Sequence, residues 1–451
     1  MRFFCLGWIA LLLLAGDVSP AAAQVVTVPP GSVRGLFGGG ASAPAATDLA
    51  LTVDLDGGYE NNSAPGSTTS ADLFGPIQSG YVSTAVTTLR FQKGIVDRYV
   101  LATGNASISQ QQVASGFRAI QLFRGLSALQ LATTLSRRSG VTASASVAYE
   151  PTFLFGAFTT LGSNSTFESP IETVPVPTED PSLSITQQNW LATRASAGAF
   201  YNWTPRQRMS VRYDGEWLRP LEGAGVETRN NTATVFHAWD ATRNAGIDVT
   251  YRYSDNPQIL ETTERTLVLQ AGEARFRYSR RMSPSRSVAF MAGGGAVQVK
   301  AGPLGNDRGF EVVAPTFSAL ARVGFARTWG VSLTARRDIT VLGGLSAEPF
   351  ESNAAMLTID GTVARRLWMA ATAGLSQGRA RRAAGGDFDL AMVTAQARYG
   401  FGSRLGLLVR YQYNEHEFRG IAVTPASFPF RFNRNSIRVG LTMWLPLYGT
   451  F

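Results

Sequence analysis

The amino-acid sequence predicts an all-β fold, a transmembrane antiparallel up-and-down β-barrel of about 18 strands. Three observations indicate this class: segments in which apolar and polar residues alternate, connectors that alternate between short and long, and aromatic residues at alternate ends of successive segments. Strict alternation places apolar and polar side chains on opposite faces of a strand. In a membrane barrel the apolar face contacts lipid and the polar face lines the interior. A hydrophobic content of 45% with a mean hydropathy of +0.00 fits, because a barrel spreads its apolar residues evenly.

The first 23 residues have the pattern of a secretory signal peptide, which predicts export. Arg2 supplies the positive start, residues 8–15 form the apolar stretch, and Ala21–Ala23 are the small residues of a cleavage site. The only cysteine, Cys5, lies in this segment, so we expect neither a lipid anchor nor a disulfide in the mature chain. Residues 24–46 are rich in Pro, Gly, Ala and Ser and predict a flexible periplasmic leader. A plugging or partner-binding role of this leader stays open, and residues 47–451 are predicted to form the barrel.

Net charge and hydropathy exclude two other classes. After the signal, no apolar stretch reaches the roughly 18 residues that a membrane helix requires, so strands are predicted to cross the membrane. The formal net charge is +9, and all but two of the 41 basic residues, Lys93 and Lys300, are arginines. They are scattered singly instead of forming a patch, which argues against a nucleic-acid partner.

The alternating segments predict each strand in turn. In residues 247–254, for example, Ile, Val, Tyr and Tyr alternate with Asp, Thr, Arg and Ser. The predicted strands are 48–59, 81–92, 95–104, 122–136, 141–158, 188–202, 208–219, 232–241, 246–254, 264–279, 286–300, 313–327, 330–341, 353–365, 367–378, 387–400, 404–418 and 433–445. This gives 18, an even number, as single-chain bacterial barrels have. Alternation is weaker over residues 81–123, and leaving out one hairpin there gives an alternative of 16 strands.

The connectors distinguish a membrane barrel from a soluble sandwich. Short turns are predicted at Arg137–Gly140, Trp203–Gln207, Thr242–Ala245, Arg280–Ser285, Thr328–Gly330, Arg365–Leu367 and Phe401–Ser403. Longer loops fall between them, at Thr160–Gln187, Pro220–Asn231, Asp255–Thr263, Ala301–Val312, Leu342–Ser352, Arg379–Gly386 and Arg419–Phe432. Membrane barrels place tight turns in the periplasm and longer loops outside the cell. A sandwich has no reason to keep this order.

Aromatic residues predict two belts, one at each membrane–water interface. On strands that rise from the short turns, the aromatic residues lie near the far ends: Trp217, Tyr253, Tyr411 and Tyr413. On strands that descend to the turns, they lie just before the turns: Tyr201, Tyr278, Phe325 and Tyr399. An ordinary preference of aromatic residues for strands does not predict this placement.

The polar faces predict the residues that line the barrel interior, which at 16–18 strands is wide enough to leave an aqueous channel. The lumen-lining candidates are Arg212, Asp214, Glu216, Asp248, Arg252, Glu273, Arg275, Arg277, Arg322, Arg336, Asp338, Arg410 and Arg438. One interpretation is a set of charges that tunes selectivity, with an arginine excess that favours anionic or sugar-like solutes. The alternative is that these charges pair across neighbouring strands and only hydrate the wall. The long acidic loop 160–187 folds inward as a constriction in one reading and stays outside in the other.

Residues with catalytic potential are few. Only His237 and His416 are available as imidazole bases, and they occupy opposite-facing positions of distant strands. Outer-membrane phospholipases use a histidine–serine pair, and His416 near the outer rim is the one candidate here, although no serine partner can be assigned. We therefore predict no enzyme activity, no cofactor and no metal site, and keep a lipid hydrolase as an alternative. Gly293–Gly295 is not a phosphate loop, because no Lys-Ser/Thr follows it.

The C-terminal strand carries a resemblance to a known signal. Leu441, Met443 and Leu445 alternate with polar residues or Trp, Pro446 is expected to interrupt the run, and the chain ends in Phe451. Such a strand resembles the signal by which outer-membrane β-barrels are recognised for assembly. The resemblance implies two partners: the outer-membrane lipid bilayer and the barrel-assembly machinery.

A second resemblance lies in the first strand, where Gly58-Tyr59-Glu60-Asn61-Asn62 is similar to the Gly-Tyr-Asp-Asp-Asn motif of β-barrel porin families of Gram-negative bacteria. Those families imply a barrel of similar length, and some members are linked with exopolysaccharide export, which adds export components as possible partners. The resulting hypothesis is a porin-like channel or export pore in the outer membrane. A non-conducting structural or adhesive barrel, plugged by a loop or by the leader, is the main alternative.

Overall fold

The computed structural model is built from 18 β-strands. It describes residues 48–63, 80–95, 100–115, 118–150, 190–221, 227–260, 263–283, 285–302, 309–326, 328–341, 349–380, 386–402, 404–419 and 431–449. The strands are β1 (Asp48–Ser63), β2 (Gly80–Ile95), β3 (Val100–Ser115), β4 (Arg118–Ser136), β5 (Ser139–Glu150), β6 (Trp190–Thr204), β7 (Gln207–Pro220), β8 (Glu227–Asp240), β9 (Ala245–Leu260), β10 (Thr263–Ser283), β11 (Arg286–Ala301), β12 (Phe310–Phe325), β13 (Trp329–Val341), β14 (Pro349–Ala364), β15 (Leu367–Ala380), β16 (Asp387–Gly400), β17 (Leu405–Arg419) and β18 (Arg431–Gly449).

Each strand pairs antiparallel with the strand before it and the strand after it, in up-and-down order. The last strand, β18, pairs along its length with β1, from Asp48 opposite Gly449 to Ser63 opposite Asn433. The ladder therefore returns to its start, and every strand has a neighbour on both sides. Backbone donors and acceptors of the described strands are satisfied between strands, as lipid requires of any strand that crosses it. The prediction of 18 strands is confirmed, and the alternative of 16 is wrong, because β2 and β3 both form in the region of weak alternation.

Among the described residues, no helix is long and apolar enough to cross a membrane.

Several predicted strand ends are wrong, mostly on the side of the longer loops. The predicted loop Asp255–Thr263 is largely strand, because β9 continues to Leu260 and β10 begins at Thr263. Likewise β8 begins at Glu227, inside the predicted loop Pro220–Asn231, and the third strand is Val100–Ser115 instead of 95–104. The ladder here continues beyond the stretch in which apolar and polar residues alternate. The periodicity that located the strands therefore ends before the hydrogen bonding does.

The predicted end of the last strand at residue 445 is also wrong. The last strand continues to Gly449, and Pro446 lies opposite Ala50. A register shift between Leu49 and Ala50 leaves Leu447 as an extra residue, 54% exposed, between Pro446 and Tyr448. A bulge tolerates a proline because the ladder is locally interrupted there. The signal peptide, the leader, the loop 160–187 and Phe451 lie outside the described residues, so predictions about them remain predictions.

The two faces of the ladder are distinguished by contacts between distant strands. The guanidinium of Arg252 on β9 lies 3.4 Å from the carboxylate of Asp338 on β13, across three intervening strands. Side chains so far apart in the sheet meet only on the concave side. The face that carries these two residues is therefore the inner face, and the residues that alternate with them along each strand point outward.

Candidate functional site

The outer face carries a continuous band of exposed apolar side chains. On β9, Ile247 and Val249 are 41% and 47% exposed, whereas Asp248 between them is 1% exposed. On β18, outward apolar residues extend from Ile437 to Leu447. At about 3.3 Å per residue and a tilt of roughly 40°, this stretch spans about 25 Å, the height of the lipid-facing band of membrane barrels.

The loop-side edge of this band is marked by aromatic residues whose polar atoms point towards the loops. The hydroxyl of Tyr213 donates to Asn231, which lies opposite the residue two places further along β7. The same direction is seen in four further hydrogen bonds: Trp217 to Glu227, Tyr251 to Gln270, Tyr411 to Asn435 and Tyr413 to Glu415. Aromatic rings at a membrane surface keep the ring in the apolar region and the polar end in the wet region. The loop side of the band thus has the arrangement that the sequence predicts for a membrane–water interface.

The turn-side edge carries the second group of aromatic residues on the outer face. Phe325 stacks on Trp329, with ring centroids 6.3 Å apart, and Tyr399 meets Phe401 edge-on at 5.4 Å. Tyr201 is 48% exposed on the same edge. Two aromatic belts thus border the apolar band, with short turns beyond one and longer connections beyond the other. The chain is an outer-membrane-type β-barrel.

No protein-family model and no curated protein matches the chain. Among solved structures it is similar to Acinetobacter baumannii OccAB4, with 11% identity, a TM-score of 0.44, and coverage of 90% of this chain and 100% of that one. It is also similar to the outer membrane protein OpdK from Pseudomonas aeruginosa, at 12% identity and a TM-score of 0.43, covering 88% and 99% of the two chains. A third structure, Pseudomonas aeruginosa OccK2 (OpdF) in complex with glucuronate, has 12% identity and a TM-score of 0.43, with coverage of 89% and 98%. At these levels of identity the likeness concerns fold alone.

The structure places all 13 lumen-lining candidates on the inner face, where three groups of ion pairs and hydrogen bonds take up most of them. The largest group joins β8–β13: Arg252 and Arg336 both contact Asp338, and Arg277 lies 2.8 Å from Asp240 and 3.4 Å from Asp248. In the same part of the wall, Ser318 donates a hydrogen bond to Glu273. Many of the candidate charges are thus paired on the wall, as the alternative interpretation expects. Whether they also line a conducting path stays a prediction.

The second group lies at the seam where β18 meets β1 and β2. Glu60 contacts Arg434 and lies 3.3 Å from the second guanidinium, that of Arg438. Arg438 also lies 3.8 Å from Asp56 and donates to Thr84 over 3.2 Å. The side chains of Glu60, Arg434 and Arg438 are only 5%, 4% and 2% exposed. Of these residues the sequence predicted only Arg438 to line the lumen, and Glu60 was named only for its motif, because no local pattern pairs residues from the two ends of the chain.

The third group, on β5–β7, is open to solvent. Arg194 lies 2.6 Å from Glu216 directly opposite it, and Arg212 lies 2.7 Å from Asp214. The side chain of Arg194 is 61% exposed, and those of the other three range from 27% to 36%. Sequence reasoning missed Arg194, because its outward neighbours Thr193 and Ala195 give the strand little hydrophobic alternation at this point.

The inner face is not polar throughout, which corrects the sequence prediction. An apolar cluster lies at the loop ends of β10–β13, and it is almost inaccessible to solvent. Six of its buried members point inward, Leu267, Leu269, Val297, Val299, Ala301 and Ala314, and the buried Ile339, next to Asp338 on β13, packs with them. Leu267, Val297 and Val299 have no exposed surface. Nearby, the ring of Phe388 meets that of Phe350 at 5.5 Å and lies where a side chain on Gly378 would be. Glycine at 378 is therefore needed for this packing.

The inner apolar residues coincide with an inversion of the strand pattern. On β11 the apolar residues Val297 and Val299 point inward, while Gln298 and Lys300 point outward. On β16, Phe388 and Leu390 are buried on the inner face, and Asp389 lies on the outer face. Polar-out and apolar-in is the pattern of a sheet surrounded by water. The loop-side ends of these strands therefore extend beyond the hydrocarbon, around an interior that excludes water.

The two histidines lie on opposite faces, as the sequence predicts. His416 is on the inner face of β17 and is 6% exposed, and His237 is exposed on the outer face of β8. A lipid hydrolase needs its base where lipid can reach it, and His416 faces away from lipid. This position gives the lipid-hydrolase alternative no support.

Proposed function

We propose that the chain resides in the outer membrane and acts as a passive channel for small hydrophilic solutes. The observation that carries the proposal is the solvent-accessible, charged inner wall of β5–β7, enclosed by an outer apolar band. Side chains that are 27–61% exposed on the concave face of a barrel need water beside them. The inner candidates comprise eight arginines and five carboxylates, which supports a preference for anionic or saccharide solutes.

Planar-bilayer recording of the refolded chain tests this proposal. Insertion is expected to produce discrete conductance steps. Under a salt gradient, the sign of the reversal potential is expected to show that anions permeate more readily than cations. A heat-denatured sample of the same preparation serves as the control. Stable insertion without any conductance would remove the channel function and leave the fold intact.

A non-conducting barrel is the second candidate, and the buried apolar cluster on β10–β13 favours it. If the interior is blocked by the leader, deletion of residues 24–46 should produce conductance that the full mature chain lacks. We also propose two kinds of partner for the barrel, both from sequence resemblance. The assembly machinery recognises the C-terminal strand, and exopolysaccharide-export components associate with the barrel.

A further inference from the structure

Access of solvent to the inner wall differs sharply around the barrel. On β6, the successive inward residues from Arg194 to Asn202 all have accessible surface, and the same is true of those from Arg208 to Leu218 on β7. On β15, by contrast, the five successive inward residues from Thr372 to Ala380 are all buried. On β18, the five successive inward residues from Arg434 to Thr442 are also buried. Height alone does not explain the difference, because Asp214, Glu216 and Leu218 in the loop-side half of β7 are accessible, whereas the inward residues in the loop-side halves of β15 and β18 are buried.

One row of directly paired inward residues shows where the change occurs. Starting at β4, the row passes through Gln130, Ser144, Ser196, Asp214, Thr232, Ser254, Leu269 and Val299. Gln130 is exposed, the residues on β5–β7 are partly exposed, and from Thr232 onward every member is at most 8% exposed. Polarity falls in the same direction, from amide and hydroxyl groups to Leu and Val. Along this row, which also rises towards the loop ends of β10 and β11, solvent reaches the wall on β4–β7 and hardly reaches it from β8 onward. Elsewhere on the inner face, residues such as Glu273 and Arg336 are partly exposed.

We infer that the aqueous path runs off the barrel axis, along the inner faces of β4–β7, with Arg194 as the charge that most directly meets a passing ion. Arg194 is the most exposed charged residue on the inner face among those whose exposure the structure describes. Glu216 holds it at 2.6 Å and orients its guanidinium, so the pair presents a fixed dipole to the path. Buried pairs such as Arg438–Glu60 lie outside the path and act on solutes only at a distance. The inference deepens the proposed channel function, on which it rests, by naming its route and its selectivity residue.

Thiol labelling maps the route without requiring any current. Ser196 and Ser376 both lie on the inner face near the middle of their strands, and Ser376 is 1% exposed whereas Ser196 is partly exposed. Ser196→Cys and Ser376→Cys, each in a Cys5→Ser background, are treated with a positively charged methanethiosulfonate reagent, and modification is followed by mass spectrometry. The Ser196→Cys thiol is expected to react about tenfold faster or more, because reaction requires contact between reagent and thiolate. Only variants that show the heat-dependent gel shift of a folded barrel are compared. If Ser376→Cys does not fold, Ser436→Cys provides a second buried site, because Ser436 on β18 is 5% exposed.

Charge reversal then tests the role of Arg194. Arg194→Glu is expected to shift the reversal potential in the direction that shows greater cation permeability. Arg219→Glu, on the outer face of β7, is the matched control and should leave the reversal potential unchanged. Equal labelling at the two serine positions, or an unchanged reversal potential in Arg194→Glu, overturns the inference. If the chain does not conduct but the labelling contrast is found, the channel function fails while the off-axis aqueous sector stands.

Discussion

Glu60→Ala is expected to lower the free energy of unfolding by about 3–5 kcal/mol, the effect of leaving buried charges without their shared partner. Glu60 is the common counter-ion of Arg434 and Arg438 at the seam between β18 and β1, and all three side chains are at most 5% exposed. Without the carboxylate, Arg434 loses its ion pair and Arg438 keeps Asp56 at 3.8 Å, so two guanidinium groups share less negative charge in a region that water hardly reaches. Denaturant titration of the refolded barrel in detergent, followed by tryptophan fluorescence, measures the change.

The control for this prediction is an ion pair of the same type in water. Glu417 lies 3.5 Å from Arg419 on the outer face, with 39% and 57% of their side chains exposed, so Glu417→Ala is expected to cost about 1 kcal/mol or less. Combining Glu60→Ala with Arg434→Met should recover part of the loss, because it removes the buried charge that paired with Glu60. Equal effects of Glu60→Ala and Glu417→Ala would show that solvent reaches the seam and that the buried ion pairs do not stabilise the pairing of β18 with β1.

Val249→Arg is expected to destabilise the barrel by about 2–4 kcal/mol when it is folded in lipid, the cost of a guanidinium near the middle of the bilayer. Val249 is 47% exposed on the outer face of β9, between Ile247 and Tyr251. The same substitution on a water-facing surface is tolerated, so the cost comes from the surrounding hydrocarbon and not from lost packing. Denaturant titration in liposomes measures it.

Ser196→Arg is the matched control, because it adds the same side chain on the accessible inner wall, opposite Asp214. A change of about 1 kcal/mol or less is expected there. If the two variants lose similar stability, or if Ser196→Arg loses more, the outer face of β9 does not contact lipid as described.

The fold could be predicted because strand alternation is a local property of the sequence. Residues 247–254 show two clean faces without reference to any neighbour, and the structure confirms their direction. The orientation of the aromatic residues followed from the same alternation, since all eight occupy outward positions of their strands. The even strand number is consistent with closure, because it lets β18 pair antiparallel with β1.

The interior could be predicted only in part. Leu267, Val268 and Leu269 are apolar on both faces, so alternation gives no direction there, and the inner cluster was missed. The inversion on β16, where Asp387 and Asp389 alternate with buried Phe388 and Leu390, was visible in the sequence. It could not be interpreted, because the sequence does not show at which residue a strand leaves the hydrocarbon. The Glu60–Arg434 pair joins residues at opposite ends of the chain, and no local pattern brings them together.

The central claim is that the apolar row of each strand faces hydrocarbon and the polar row faces the interior. Nitroxide labels placed one at a time along β9, at positions 246–252, test it most directly in liposomes, by comparing collisions with oxygen, which concentrates in lipid, and with a water-soluble nickel chelate. Oxygen accessibility is predicted to alternate with a period of two, with maxima at Ile247, Val249 and Tyr251 and minima at Asp248 and Thr250. Maxima at the even positions, or no alternation at all, would contradict the account.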